Sequence, residues 1–178
     1  MNEELSLRLE HLNDLIKKDP NDAEHYLVRG ILKTNPEYYK SSIADFDKAI
    51  ELNPNSSDLY LHRANAKKIF NEIDEALLDI EKAIEINDKN EYAFFLRGVI
   101  KYQRMSLDTG EIKNFVIGDL SKAIEINPNL AEAYYWRGVV KSNEKIRDSG
   151  TKDLLKAKEL GYIKASDFIL WKSWGIKL

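Results

Sequence analysis

The chain has 178 residues, with 27 lysines and arginines against 30 aspartates and glutamates, a formal charge of −3 and no cysteine. So small a net charge gives no electrostatic attraction for a phosphate backbone, and nucleic acid is therefore not an expected partner. The lack of cysteine excludes disulfides, thiolate nucleophiles and thiolate metal sites. A charged fraction of 32%, with only eight glycines and four prolines, is typical of a soluble, helix-rich protein.

The first segment, residues 1–20, is predicted to be a capping helix. Its apolar residues recur at helical spacing, and Asp-Pro-Asn at 19–21 ends the pattern. The apolar residues are Leu5, Leu9, Leu12, Leu15 and Ile16. The segment contains no apolar run of signal-peptide or membrane-spanning length, so we expect no membrane contact and a cytoplasmic location.

A ten-residue pattern then recurs along the chain. FDKAIELNPN at 46–55 returns as IEKAIEINDK at 80–89, as LSKAIEINPN at 120–129 and, less closely, as LKAKELGYI at 155–163. Its alanine recurs at intervals of 34, 40 and 34, at Ala49, Ala83, Ala123 and Ala157, and an upstream arginine recurs at intervals of 34, 34 and 40, at Arg29, Arg63, Arg97 and Arg137. Each series has one interval of 40 residues, and the two long intervals overlap between Arg97 and Ala123. The spacing therefore indicates four repeats with a six-residue insertion in that region, for which SLDTGE at 106–111 is the candidate.

Each repeat is predicted to contain two helices. In the second repeat, Ala76, Ile80, Ala83 and Ile84 follow the i, i+4, i+7, i+8 spacing of an amphipathic helix. Asn-Pro at 53–54 and at 127–128 ends the second helix of its repeat, because proline cannot continue a helix. The predicted repeats are residues 23–56, 57–90, 91–130 and 131–164.

These repeats resemble the tetratricopeptide repeat, a 34-residue helix-turn-helix family. In AEAYYWRGVVK at 131–141, a large aromatic residue stands at the fourth position and a small residue at the eighth. The pairs in the four repeats are Tyr26 with Gly30, Tyr60 with Ala64, Phe94 with Gly98, and Tyr134 with Gly138. The resemblance implies a single all-α domain, a right-handed superhelical solenoid of about four helix-turn-helix units between capping helices.

The C-terminal segment, residues 165–178, is predicted to be the second capping helix. It contains Phe168, Ile169, Trp171 and Trp174, which we interpret as apolar cover for the last repeat. At the eleventh position, where the family usually has an aromatic residue, the repeats have Lys33, Lys67, Lys101 and Lys141. We expect these lysines to lie along the helix edge with their ammonium groups in water.

Each repeat also has an arginine in its first helix and an aspartate in its second. The candidates for structural ion pairs are Arg29 with Asp45, Arg63 with Asp79, Arg97 with Asp119, and Arg137 with Asp153. The separation is 16 residues, or 22 across the insertion, but each aspartate also stands 18 residues before the next arginine. Pairing within a repeat, between repeats, or shared by both remains open at this point.

No pattern in the chain predicts catalysis. The three histidines share no metal-binding spacing, and the Ser-x-x-Lys matches at 142–145 and 149–152 lack the other elements of serine acyltransferase sites. The glycines form no phosphate-binding loop. We therefore predict no enzyme, no catalytic residue, no metal site and no cofactor.

The resemblance implies a protein or peptide partner, held in a concave groove lined by the first helices. The candidate partner-binding residues are Leu61, Asn65, Lys68, Tyr92, Phe95, Val99, Tyr102, Tyr135 and Val139. The function implied is a non-catalytic interaction module or scaffold that binds an apolar peptide or partner helix. The family's chaperone-tail binders use a lysine at the fifth position, where this chain has apolar residues, so carboxylate tails are disfavoured.

Two other interpretations stay open. The groove aromatics could be covered by the C-terminal cap or by the insertion. Alternatively, the protein is structural and self-associating, using these aromatics or the C-terminal tryptophan helix to form a homo-oligomer.

Overall fold

The computed structural model describes residues 3–104, 110–142 and 147–165, with the backbone alone for 110–112 and 147–149. All regular secondary structure in these residues is helical, which confirms the predicted all-α fold class. The helices are α1 (Glu3–Lys18), α2 (Ala23–Leu32), α3 (Tyr39–Leu52), α4 (Ser57–Ile69), α5 (Ile73–Ile86), α6 (Glu91–Arg104), α7 (Gly110–Ile126), α8 (Ala131–Ser142) and α9 (Arg147–Glu159).

Two predicted elements lie largely beyond this description. The C-terminal capping helix, with Phe168, Ile169, Trp171 and Trp174, lies outside the described residues, which end at Ala165. Most of the predicted insertion, 106–109, also lies outside them.

Helices pair as the repeat pattern predicts. The first helices α2, α4, α6 and α8 begin at Ala23, Ser57, Glu91 and Ala131, the first residues of the four predicted repeats. Each packs against the second helix of its own repeat, α3, α5, α7 or α9. Contacts divide the chain into two compact units, Met1–Asp88 with α1 to α5 and Lys89–Leu178 with α6 to α9. That the whole chain forms a single domain stays a prediction.

Helix ends follow the local sequence only in part. Asp22 accepts a hydrogen bond from the backbone N–H of Glu24 at 2.8 Å and so caps α2 as an aspartate at this position should. Ser56 occupies the capping position of α4 but makes no such bond. Its neighbour Ser57 instead donates to the Ala83 carbonyl oxygen at 3.0 Å, because that carbonyl at the end of α5 lies within reach. The sequence therefore predicted the start of α4 but not the capping interaction.

In the first unit, α1 lies against α2. Leu12 is its buried residue, and Ile16 packs against the cluster formed by Tyr26, Ala49, Ile50 and Leu59. A methyl group built on Gly30 would lie 2.9 Å from Phe46 Cε1, so the small eighth residue allows the ring of α3 to approach α2.

In the second unit, the buried cluster joins α6, α7 and α8. Its members are Val99, Val116, Leu120, Ala123, Ile124, Ala133 and Val140. Glycines meet where α8 and α9 cross, since a methyl group on Gly138 would lie 2.9 Å from the Gly150 carbonyl oxygen and 2.8 Å from Leu154 Cγ. The close approach of the paired helices thus depends on residues without side chains.

Candidate partner-binding surface

Arginine–aspartate pairs connect the two helices of each repeat. The Nη2 atom of the arginine lies 2.5 to 2.7 Å from an Oδ1 atom in Arg29–Asp45, Arg63–Asp79, Arg97–Asp119 and Arg137–Asp153. The arginine Nε donates to the same carboxylate, so the pairs are two-pronged. This geometry resolves the question that the sequence left open, because each arginine binds the aspartate of its own repeat.

A second contact reaches the preceding second helix. Arg63 Nη1 donates to Asp47 at 2.6 Å, and Arg137 Nη1 donates to Ser121 at 3.1 Å. Arg29 Nη1 likewise donates to Asn13 in α1 at 2.7 Å. All three acceptors stand 16 residues before their arginine. Helix α1 therefore contacts the first repeat as α3 contacts the second.

The lysines at the eleventh position differ from the expectation. The ammonium groups of Lys33, Lys67 and Lys141 lie 2.8 to 2.9 Å from Asp45, Asp79 and Asp153, respectively. The prediction that these three lysines hold their charge in water was wrong, because a buried carboxylate lies one helix away. Lys101 behaves differently, with its Nζ 3.7 Å from the ring centroid of Phe115.

These contacts neutralise the buried charges within the repeats. Burial alone would lower the pKa of Arg63, but the hydrogen bonds that it donates to Asp79 and Asp47, and their charge, outweigh burial and raise the pKa. The guanidinium stays protonated. A group engaged in this way has little capacity left for a partner.

The candidate groove residues of the first unit are Leu61, Asn65 and Lys68 on α4. Leu61 is only 4% exposed, whereas Asn65 and Lys68 are half-buried. Burial lowers the pKa of the Lys68 ammonium. The accessible part of this surface is thus polar and offers little apolar area to a partner.

The candidate residues of the second unit form an aromatic arrangement. Tyr92 is 42% exposed and its ring centroid lies 5.8 Å from that of Phe95, one turn along α6. The rings of Tyr102 and Tyr135 each lie 5.5 Å from the ring of Trp136. Such spacing is favourable for aromatic pairs, and these rings therefore support one another.

Two of the predicted residues contribute little to this surface. Val99 and Val139 are 5% and 7% exposed, and Val99 belongs to the buried cluster of the second unit. Both valines stand at the ninth position of their repeat, and their side chains lie mostly in the packed interior. The repeat pattern alone does not reveal this burial.

Two aromatic residues of this arrangement were missed from the sequence. Trp136 follows Tyr135 directly, and a third aromatic in the run YYW could have drawn attention to it. Tyr162 follows Gly161, whose φ of 89° turns the chain after α9. Its ring then lies 5.0 Å from that of Tyr135. Gly161 indicated a turn in the sequence, but only the backbone of the structure shows that this turn brings Tyr162 next to Tyr135.

We call the set Tyr92, Phe95, Tyr102, Tyr135, Trp136 and Tyr162 the aromatic surface. Burial, and secondarily the negative charge of Glu132, raises the pKa of both Tyr92 and Tyr162. Their phenols therefore remain neutral through the physiological pH range, and the surface presents apolar rings with hydroxyl groups.

Other kinds of site find no support in the described part of the chain. No group of three or more metal-ligating side chains converges there. None of the described helices is long and apolar enough to cross a membrane.

Comparison with known proteins gives a consistent fold family. Two family models, both described as tetratricopeptide repeat, match residues 17–56 and 46–77. No curated protein matches the sequence.

Among solved structures, MamA is 24% identical with a TM-score of 0.70 and 89% of each chain covered. YrrB, described as a TPR protein with an unusual peptide-binding site, is 23% identical with a TM-score of 0.68, covering 86% of this chain and 76% of its own. The Arabidopsis OM64 TPR domain is 20% identical with a TM-score of 0.60, covering 68% and 96%. At these identities the likeness shows the fold.

Proposed function

We propose that the chain is a non-catalytic interaction module whose aromatic surface binds an apolar peptide or partner helix. The proposal is supported by the match of two tetratricopeptide repeat models to residues 17–56 and 46–77 and by the fold that the chain shares with MamA. A protein-interaction or scaffold role is what this fold family supports. The cytoplasmic location stays a prediction of the sequence.

One observation carries the proposal: six aromatic residues of the second unit form two sets of ring contacts, Tyr92 with Phe95, and Tyr102, Tyr135, Trp136 and Tyr162, while Tyr92 stays 42% exposed. Aromatic side chains bury large areas at a small entropic cost and dominate the energy of many protein interfaces. The first helices α6 and α8 provide five of these six rings, and those of Phe95, Tyr102 and Trp136 pack against the buried cluster of the second unit. A partner would therefore meet a preformed surface and lose little affinity to ordering.

The chemistry of the surface favours an apolar ligand over a carboxylate tail. The fifth positions on α6 and α8 are Phe95 and Tyr135, neither of which carries a positive charge. The arginines nearby are occupied by their aspartates. YrrB is described as having a peptide-binding site, which supports a peptide as the class of ligand.

Tyr135 is the best residue for a test, because its ring contacts both Trp136 and Tyr162. Purified protein is screened against an array of short capped apolar peptides, and the affinities of binders are measured by titration calorimetry. We expect Tyr135→Ala to weaken binding at least about tenfold, the effect of losing an aromatic hot spot. Leu155→Ala is the matched control, since this leucine is 52% exposed on α9 and lies outside the aromatic surface.

The outcome discriminates clearly. Equal affinities for Tyr135→Ala and Leu155→Ala, with unchanged circular dichroism, would rule out the aromatic surface as the binding site. An absence of any peptide binder for the parent protein would count against the proposed function itself.

Charge distribution favours a second candidate function, self-association. Residues 1–88 contain 11 lysines and arginines against 19 aspartates and glutamates, whereas residues 89–178 contain 16 against 11. Opposite charge on the two units favours head-to-tail contact between copies. Light scattering tests this candidate: self-association predicts a mass that grows with concentration and falls with added salt. A monomer at all concentrations rejects it.

A further inference from the structure

Glu132 departs from the charge pattern of the second unit. The glutamates Glu125 and Glu159 each accept a hydrogen bond from a lysine three residues before them, and Asp119 and Asp153 bind arginines. Glu91 accepts a hydrogen bond from Asn127. Within the described ranges, the half-buried carboxylate of Glu132 receives neither a hydrogen bond nor an ion pair.

The surroundings of Glu132 are aromatic. It shares a face of α8 with Tyr135, three residues further on, whose ring lies 5.0 Å from that of Tyr162. Tyr92 stands at the equivalent second position of α6, and α6 contacts α8. These relations place the Glu132 carboxylate on the side of α8 that carries Tyr135 and Tyr162 and at the same repeat position as Tyr92. In agreement, the negative charge of Glu132 is the second cause, after burial, of the raised pKa of Tyr92 and Tyr162. A negative charge thus stands among ring faces that are themselves attractive to cations.

We propose that Glu132, Tyr92 and Tyr162 form a cation subsite on the aromatic surface, which binds a lysine or arginine side chain of the partner peptide. The inference rests on the proposed function and adds the chemistry of the ligand. A basic side chain fits because its aliphatic stem packs on the rings while its charged end meets the carboxylate. One carboxylate among aromatic rings is too few ligands for a metal ion, and an organic cation is the better match.

The subsite gives the surface a defined preference. The apolar residues of the peptide contact Phe95, Tyr102, Tyr135 and Trp136, and its basic residue lies at the end formed by the first turns of α6 and α8, next to Tyr162. Acidic residues at that position of the peptide are excluded by repulsion from Glu132, so the carboxylate selects against some ligands as well as for others.

The test uses three matched sets of short capped peptides with aromatic and aliphatic residues. They differ at one position, which is lysine, its uncharged analogue norleucine, or glutamate. Titration calorimetry and fluorescence anisotropy give the affinities. For the parent protein we expect lysine peptides to bind about tenfold more tightly than norleucine peptides, and glutamate peptides to bind most weakly. Added salt should reduce the preference for lysine.

Substitutions of Glu132 test whether its carboxylate causes the preference for lysine peptides. Glu132→Gln should abolish the preference for lysine and leave the affinity for norleucine peptides unchanged, and Glu132→Lys should reverse the order of lysine and glutamate peptides. Glu24→Gln is the matched control, because Glu24 occupies the same repeat position on α2 in the first unit. It should behave as the parent does.

The results separate the two proposals. If norleucine peptides bind but lysine peptides bind no better, or if Glu132→Gln keeps the preference for lysine, the cation subsite is overturned and the apolar surface survives. If none of the three sets binds the parent protein, the proposed function and the subsite both fail.

Discussion

Removal of Arg97 tests the physical role of the ion pairs most directly. Its side chain is 17% exposed and that of Asp119 is 7% exposed, and the two are joined by hydrogen bonds of 2.7 and 2.9 Å. In this repeat the eleventh-position lysine, Lys101, lies over the Phe115 ring. No lysine within the described residues pairs with Asp119. Arg97→Ala therefore leaves a buried carboxylate without a cation.

The expected cost follows from that geometry. Breaking a buried ion pair by removing one partner costs about 3 to 5 kcal/mol. Arg97 also lies 5.6 Å from the Phe94 ring and 5.1 Å from the Phe115 ring, and losing such cation–π contacts costs about 0.5 to 1 kcal/mol each. We expect Arg97→Ala to reduce the free energy of unfolding by roughly 4 kcal/mol, since the individual costs do not add fully.

Arg137→Ala is the matched comparison in the same unit. Asp153 keeps the ammonium group of Lys141 at 2.9 Å after this substitution. The remaining ion pair limits the expected loss to about 2 kcal/mol, the value of hydrogen bonds to a charged group. The fourth repeat should therefore tolerate loss of its arginine better than the third.

Urea unfolding followed by circular dichroism measures both variants together with the double variant Arg97→Ala/Asp119→Ala. Because the double variant removes the stranded carboxylate as well, it should recover much of the stability lost by Arg97→Ala. A loss below about 1 kcal/mol for Arg97→Ala, the value typical of an exposed pair, would refute the reasoning. So would a double variant that is no more stable than the single one.

Substitutions at four further positions test local features of the fold. Gly138→Ala should lower the free energy of unfolding by about 1 to 3 kcal/mol, because the new methyl group would lie 2.8 Å from Leu154 Cγ. Gly118→Ala should raise it by about 0.5 to 1 kcal/mol, since among the described residues no atom beyond the adjoining backbone of α7 lies within 4 Å of the added methyl group. Melting temperatures of the two glycine variants that move in the same direction would contradict these two predictions. Asn71 has a φ of 64°, so Asn71→Ala should cost about 1 kcal/mol in urea unfolding while Asn71→Gly should not. Lys68→Met should raise the melting temperature, because burial lowers the pKa of this ammonium and no described residue pairs with it. The lowered pKa also means that the parent protein gains stability as the pH rises toward 10.5. A free energy of unfolding that does not change with pH in this range would contradict the assignment.

The sequence by itself determined the repeats and their helices. The recurrence of the arginines and of the alanines predicted four helix pairs, and the first helix of each repeat begins at the predicted residue. This part was accessible because helical periodicity, turn residues and repeat length are local properties that survive in one dimension. The small residues at the eighth position likewise predicted the close approach of paired helices.

Only the tertiary structure decided which side chains meet across helices. The choice of Asp45 rather than another acceptor for Arg29 and Lys33, the burial of Leu61, and the position of Tyr162 beside Tyr135 depend on the rotation and crossing of neighbouring helices. A repeat pattern defines the position of a residue on its own helix but not the distance to residues on the next one, because that distance is set by packing. The position of the Glu132 carboxylate beside the aromatic surface, without an ion pair to any described residue, likewise depends on how the helices pack.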